Sequence, residues 1–291
     1  MTPCILKREE VIERSATLPS FPRVIADILA TLDDPDGSLR VLAHCVEHDP
    51  VIAARVISAA NMAAAGRGSV VSDLYTATSL IGMSRVRKIT LVSSVGAFLD
   101  SLGHNSPPAT FWAHCMSVGL CCHELTLHLG DSGVSADTAL IAGLLHDIGQ
   151  LWLYSFQADA YRACLSDALA QGVADEVMER RYFGADHATL GAWLAAHWGL
   201  PVDIAAAIEG HCEPDPKASS PLVALVHVGE VLSNALGLAG PDESRVATLS
   251  AAACRRLGLV FDDTVRPLLG RIDARSRQAN EIFSTRLSTV A

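Results

Sequence analysis

Apolar stretches rich in Ala, Leu and Val run along the chain, broken at short intervals by the residues that start and stop helices. "SFPRVIADILATLDDP" opens with Ser20 as a cap and Pro22 in the first turn, and stops at Pro35. "DGSLRVLAHCVEHDP" predicts a second short helix with Ser38 as its N-cap. Asp49 caps the next, "DPVIAARVISAANMAAAG", with Pro50 at its first position and Gly66 as its stop. "SDLYTATSLIGM" and "SRVRKITLVSSVGAFLD" follow, each opened by a Ser. After the polar, proline-bearing "GHNSPPAT" at 103–110, the pattern predicts helices over 110–129, 136–150, 157–171, 174–182, 187–198, 202–212, 219–238, 243–257 and 262–284, with a loop at 211–221. No stretch alternates with period two, and the short connections suit packed helices. The expectation is an all-α fold in two helical portions, an N-terminal subdomain over 1–105 and a second over 106–291.

Composition narrows the class. A chain of 291 residues with 50% apolar content can bury a large core. The formal charge of −10 argues against general nucleic-acid binding, which works by displacing counterions with positive charge. No uninterrupted apolar run reaches the length of a membrane span, and "MTPCILKREEVIERS" lacks the apolar stretch of a signal peptide. The eight cysteines form no CxxC pair and sit mostly in apolar runs, so they read as reduced core thiols of a cytoplasmic protein.

The chemistry concentrates in the second portion. In "ALIAGLLHDIGQ" an apolar helix meets His146 and Asp147, which stand about 100° apart if the helix continues through them. Burying that doublet without a partner is costly, so a metal or a hydrogen-bond network must satisfy it. Further candidate metal ligands lie on or at the ends of other apolar helices: His114, His187, His211 and Glu230. Imidazole with carboxylate suits Fe, Mn, Zn or a similar divalent cation, one or two ions in all, and an ion-free hydrogen-bonded core stays open as the alternative. His44, His48, His104, His123, His128 and His197 read as ordinary surface or core histidines. His227, on the same face as Glu230, reads as structural.

These pieces, in this order, resemble the HDOD family, bacterial signalling output domains related to the HD and HD-GYP phosphohydrolases. The matching segments are "LPSFPRVIADILATLDDPDGSLRVLAHCVEHDPVIAARVISAAN", "ATSLIGMSRVRKITL", "FWAHCMSVG", "LIAGLLHDIGQL", "MERRYFGADHATLGAWLAAHWGLP" and "AIEGHC", spanning roughly 10–240. The resemblance implies an HD-like helical core with an N-terminal helical subdomain. It implies that His114 is the first ligand of the superfamily, His146 and Asp147 its doublet, His187 and His211 further ligands, and Glu230 the final carboxylate. Glu179 matches an acidic position common in the family pattern. Three departures stand out. Gln150 occupies the position of a Lys in catalytic relatives, Cys212 that of a second His, and Glu230, one methylene longer, that of a final Asp; there is also no "GYP" loop after His211.

The resemblance therefore implies a bacterial signal-transduction module acting through protein–protein contact, its metal site retained or not. The partner is unnamed by any motif. The arginines Arg40, Arg55, Arg67, Arg85 and Arg87 read either as a docking surface or as solvated charges. Residues 241–291 read as core-completing helices, with a dimer as the other option. The alternative function is a metal-dependent phosphohydrolase for a phosphodiester or nucleotide, in which Asp147 would be catalytic.

Overall fold

The computed structural model describes residues 4–16, 50–64, 71, 74–82, 85–86, 89, 107–214, 220–239 and 248–287. Among these the chain is all helix and loop, with no strand. The helices expected around Ser20–Pro35, after Ser38 and over most of 84–100 lie outside the described residues, as do Arg40, Arg67 and Arg87. The chain divides into two compact units: Met1–Ser15 with Asn105–Ala291, and Ala16–His104.

In the smaller unit, α2 (Pro50–Ala63) packs on α3 (Leu74–Ile81). Val56, Ala60 and Ala77 are fully buried. Asn61 holds the backbone of Val71 from both sides, its amide donating to the carbonyl at 2.9 Å and its oxygen accepting the N–H at 2.8 Å.

The larger unit is built around α4 (Ala109–Leu129), which packs against α5 (Ala136–Leu145), α11 (Pro221–Ala235) and α13 (Val265–Leu287). Helix α4 is apolar on nearly every side, as a helix enclosed by others must be, and it buries Phe111, Trp112, Met116, Val118 and Leu125. Each such side chain contributes about 1.5–3 kcal/mol by leaving water. The remaining helices are α6 (Ile148–Phe156), α7 (Ala158–Gln171), α8 (Asp175–Phe183), α9 (His187–His197), α10 (Val202–Gly210) and α12 (Ala251–Leu257). Helix α13 is anchored to α4 by charge: Arg271 Nε donates to Glu124 at 3.0 Å, and Arg275 pairs with the same buried carboxylate.

Capping follows the sequence. Ser135, Asp186, Ser220 and Ser250 each accept the backbone N–H of the third residue of α5, α9, α11 and α12, satisfying a donor the helix leaves unpaired. Gly172 and Gly258 close α7 and α12 in the left-handed conformation.

Two helix crossings set the site's geometry, and both use glycine. A Cβ on Gly143 of α5 would stand 2.8 Å from Gly119 Cα of α4, and a Cβ on Gly149 of α6 only 1.9 Å from the carbonyl oxygen of His187 in α9. The backbones approach more closely there than any side chain permits.

The N-terminal segment, read with residues 1–105 in the sequence, belongs to the same compact unit as 105–291. Cys4 N donates to Tyr182 O at 2.9 Å and Leu6 N to Phe183 O at 2.8 Å, tying it to the end of α8. Helix α1 (Arg8–Ser15) then buries Val11, whose carbonyl accepts from Trp152 Nε1 at 3.2 Å, while Arg14 lies over the Trp152 and Phe156 rings.

Candidate metal centre

The sequence predicts one helix over 136–150, but the structure breaks it at the doublet. Helix α5 ends at Leu145 with His146 as its C-cap, and Asp147 (φ −100°, ψ 21°) is the N-cap of α6. The two residues therefore sit at a corner between two helices, and the 100° relation of a continuous helix does not apply. The physical gain is specific. Asp147 stands where a carboxylate would ordinarily cap the helix, yet it makes no capping bond, so both oxygens face the interior.

Three imidazoles are aimed by their outer nitrogens. His146 Nδ1–H donates to Gly143 O, His211 Nδ1–H to Ile208 O, and His187 Nδ1–H to Glu179 Oε2, each at 2.7 Å. A carbonyl or carboxylate oxygen can only accept, so the proton sits on Nδ1 and Nε2 points inward. The inward nitrogens converge: His114 and His146 Nε2 are 3.3 Å apart, as are His187 and His211 Nε2.

Asp147 lies between the two pairs and is 2% exposed. Its Oδ2 is 3.2 Å from His146 Nε2 and 3.7 Å from His114 Nε2, and its Oδ1 is 3.4 Å from His187 Nε2 and 3.6 Å from His211 Nε2. Among the described residues Oδ1 accepts no hydrogen bond. Glu230 lies within 4.8 Å of ligand atoms of His146 and His211, and Cys212 within 4.8 Å of those of His187 and His211.

The electrostatics call for positive charge at the centre. Burial alone would raise the Asp147 carboxyl, but His146, His211 and His187 hold it well below the usual carboxylate range. Burial alone would lower His187, but Glu179 and Cys212 hold it well above the ordinary imidazole value. His211 is held high in the same way by Cys212, Asp147 and Glu230. A cluster of inward-facing imidazole nitrogens around a buried carboxylate oxygen that accepts no hydrogen bond among the described residues becomes, once those imidazoles give up their protons, the donor set of a divalent cation. The residues fit. An ion so held would supply a bound water of lowered pKa and polarise an oxygen ligand.

All six sequence candidates thus come together: His114, His146 and Asp147 in one group, His146, His211 and Glu230 in a second, and His187 and His211 with Cys212 in a third. Two further residues support the ligands. Glu179, fully buried, accepts from the backbone N–H and Nδ1–H of His187 and from Tyr161 Oη. His227 links helix ends: its Nδ1–H donates to His211 O at 2.7 Å and its Nε2 accepts from Ser250 N at 3.1 Å. The structural reading of His227 agrees with this placement. His197 is exposed on α9, away from these groups.

The comparisons with known proteins agree with this architecture. The sequence profile of the HDOD domain matches residues 18–214, and the chain belongs to that family. No curated protein matches. Among solved structures, the chain is similar to an HDOD domain protein of unknown function from Geobacter sulfurreducens (21% identity, 96% of this chain and 98% of that one, TM-score 0.71). It is also similar to a candidate phosphohydrolase from Shewanella amazonensis (24%, 96% and 97%, 0.67). A third is a candidate signal transduction protein from Marinobacter aquaeolei (20%, 98% and 63%, 0.72), of whose length this chain spans less than two thirds. At these identities the likeness is one of fold. The protein is an HDOD-type, all-α module whose clustered His and Asp side chains can coordinate a divalent metal. No helix among the described residues is long and apolar enough to cross a membrane.

Proposed function

We propose that this chain is a bacterial, cytoplasmic signalling module that acts by binding a protein partner, with one or two divalent ions (Fe, Mn or Zn) held by His114, His146, Asp147, His187, His211 and Glu230. The observation that carries this reading is Gln150. It lies in the first turn of α6, one turn beyond Asp147, and is nearly buried. A neutral amide there donates a hydrogen bond but leaves the charge of a phosphoryl oxygen uncompensated. Among the described residues, the ion pairs of Asp147 are all with imidazoles and none with Lys or Arg. The Marinobacter relative is named as a candidate signal transduction protein, in line with this reading.

The second reading, a metal-dependent phosphohydrolase with Asp147 as a catalytic residue, is favoured by the carboxylate's position between two imidazole pairs, which suits a bridge between two ions. The Shewanella relative is named as a candidate phosphohydrolase. One experiment separates the two. The metal-loaded protein and its Asp147→Ala variant are assayed against phosphodiesters, nucleotides and cyclic dinucleotides. The signalling reading expects no turnover that depends on Asp147; turnover present in the parent and abolished in the variant overturns it in favour of hydrolysis.

A further inference from the structure

We infer that Cys212 turns one half of the cluster into a zinc-selective four-donor site, formed by His187, His211, Cys212 and Asp147 and chemically unlike the remaining donors His114, His146 and Glu230. This rests on the metal-binding reading above and goes beyond it by assigning unlike metals to the two halves.

The donor geometry carries the argument. Zinc bound tetrahedrally at its usual N, O and S distances sets its donors about 3.3 Å apart for N or O pairs and about 3.5 Å for N and S pairs. Five donor-to-donor separations bear on this. His187 Nε2 to His211 Nε2 is 3.3 Å, and Cys212 Sγ lies 3.3 Å from the first and 3.2 Å from the second. Asp147 Oδ1 completes the set at 3.4 Å from His187 Nε2 and 3.6 Å from His211 Nε2. All five fall within about 0.4 Å of the tetrahedral values. The orientations are fixed from outside: Glu179 and the Ile208 carbonyl hold the two Nδ1 atoms, so neither ring can turn its Nε2 away without breaking a bond. Asp147 Oδ1 is buried, accepts no hydrogen bond among the described residues, and faces into this set.

The donor chemistry then separates the halves. A thiolate with two imidazoles selects zinc over manganese or magnesium, because sulfur is a soft ligand. The other half offers imidazoles and carboxylate oxygens, a harder set that suits iron or manganese. The neighbouring thiols do not compete. Cys121 and Cys122 are deeply buried and held protonated by desolvation, and Cys122 Sγ is engaged with Leu225 O. Cys212 by contrast is only partly buried.

The test uses the full chain, stripped with a chelator and titrated anaerobically with Co2+. The first equivalent is expected to bring a thiolate-to-cobalt charge-transfer band in the near ultraviolet, removed by one equivalent of Zn2+ and untouched by excess Mn2+. Cys212→Ser is expected to lose the band and to bind that equivalent at least about tenfold more weakly. Cys212→His, which replaces sulfur by nitrogen, should bind it with no band, and Glu230→Gln should keep the band. Cobalt binding without the band, or a band that survives in Cys212→Ser, overturns the zinc assignment and leaves the metal-binding reading standing. No cobalt binding at all overturns both.

Discussion

Glu179 grips His187 at two points with a single oxygen: Oε2 accepts the backbone N–H and the Nδ1–H, each at 2.7 Å. One carboxylate thereby fixes both the first residue of α9 and the rotation of its ring. Its other oxygen accepts from Tyr161 Oη at 3.0 Å, so the group is held from α7, α8 and α9 together.

Glu179→Ala frees the His187 ring and leaves its Nδ1–H without this acceptor. Metal affinity measured by competition with a chelating dye should fall by about 10–100-fold. Glu179→Gln preserves the acceptor, since the amide oxygen can face His187 while its NH2 donates to Tyr161 Oη. The loss in that variant should sit at the low end of the range. Equal affinity in all three proteins would show that the orientation of His187 does not matter to the ion.

Gly149→Ala tests the α6–α9 crossing. The added methyl would lie 1.9 Å from His187 O and 2.9 Å from Gly191 N, both backbone atoms that cannot swing aside. The helices must separate, carrying Asp147 away from His187. Urea unfolding should show a loss of about 3 kcal/mol or more, accompanied by loss of metal binding. Gly172→Ala is the contrast. Among the described residues no atom beyond its chain neighbours lies within 4 Å of its Cβ, so its cost should be confined to the left-handed backbone, φ 61°.

Much of this was legible before the structure. The helices expected over 157–171, 174–182 and 187–198 appear as Ala158–Gln171, Asp175–Phe183 and His187–His197, because Gly and capping residues mark their ends locally. The six candidate side chains drew attention in the sequence because a His or carboxylate in an apolar helix needs a partner. What the sequence hid was non-local. The break at His146 and Asp147 goes with a close approach of Gly149 in α6 to His187 in α9, residues 38 apart in number. The role of Glu179 depends on which acceptor reaches Nδ1, and the return of residues 4–15 to the larger unit on hydrogen bonds to Tyr182 and Phe183. No pattern along the chain encodes these meetings.

The Glu124 clamp predicts an acid limb in stability. Burial alone would raise this carboxyl, but Arg271, Arg275 and His123 outweigh it and hold it below its ordinary value. The folded state thus favours the ionised form. The clamp's contribution is present above the unfolded-chain value of about 4.3 and is lost as pH falls through the lower folded value. Glu124→Gln should lower the urea midpoint at neutral pH, by about 1–3 kcal/mol of stability for hydrogen bonds to charged groups. Its stability should also depend less on pH than the parent's through the carboxylate range. Parallel pH curves for the two proteins would remove Glu124 from the account of acid unfolding.

Chelation should destabilise the fold itself. Without an ion, Asp147 Oδ1 accepts no hydrogen bond among the described residues, and the inward nitrogens of His187 and His211 face it at 3.4 and 3.6 Å. Protons can supply part of the missing charge, but each imidazolium then faces another ring nitrogen at 3.3 Å. An ion bound at a hundred times its dissociation constant stabilises the native state by about 2.7 kcal/mol, which for a domain of this size is about 5–10 °C in melting temperature. Adding a chelator should lower the melting temperature by that amount, and restoring Zn2+ should bring it back, which separates loss of the ion from irreversible damage. Asp147→Asn, with a neutral amide at the centre, should melt at the same temperature with and without chelator. A parent protein indifferent to chelation would mean that the carboxylate and its imidazoles are balanced by protons alone, and the proposed ion would have no part in holding the helices together.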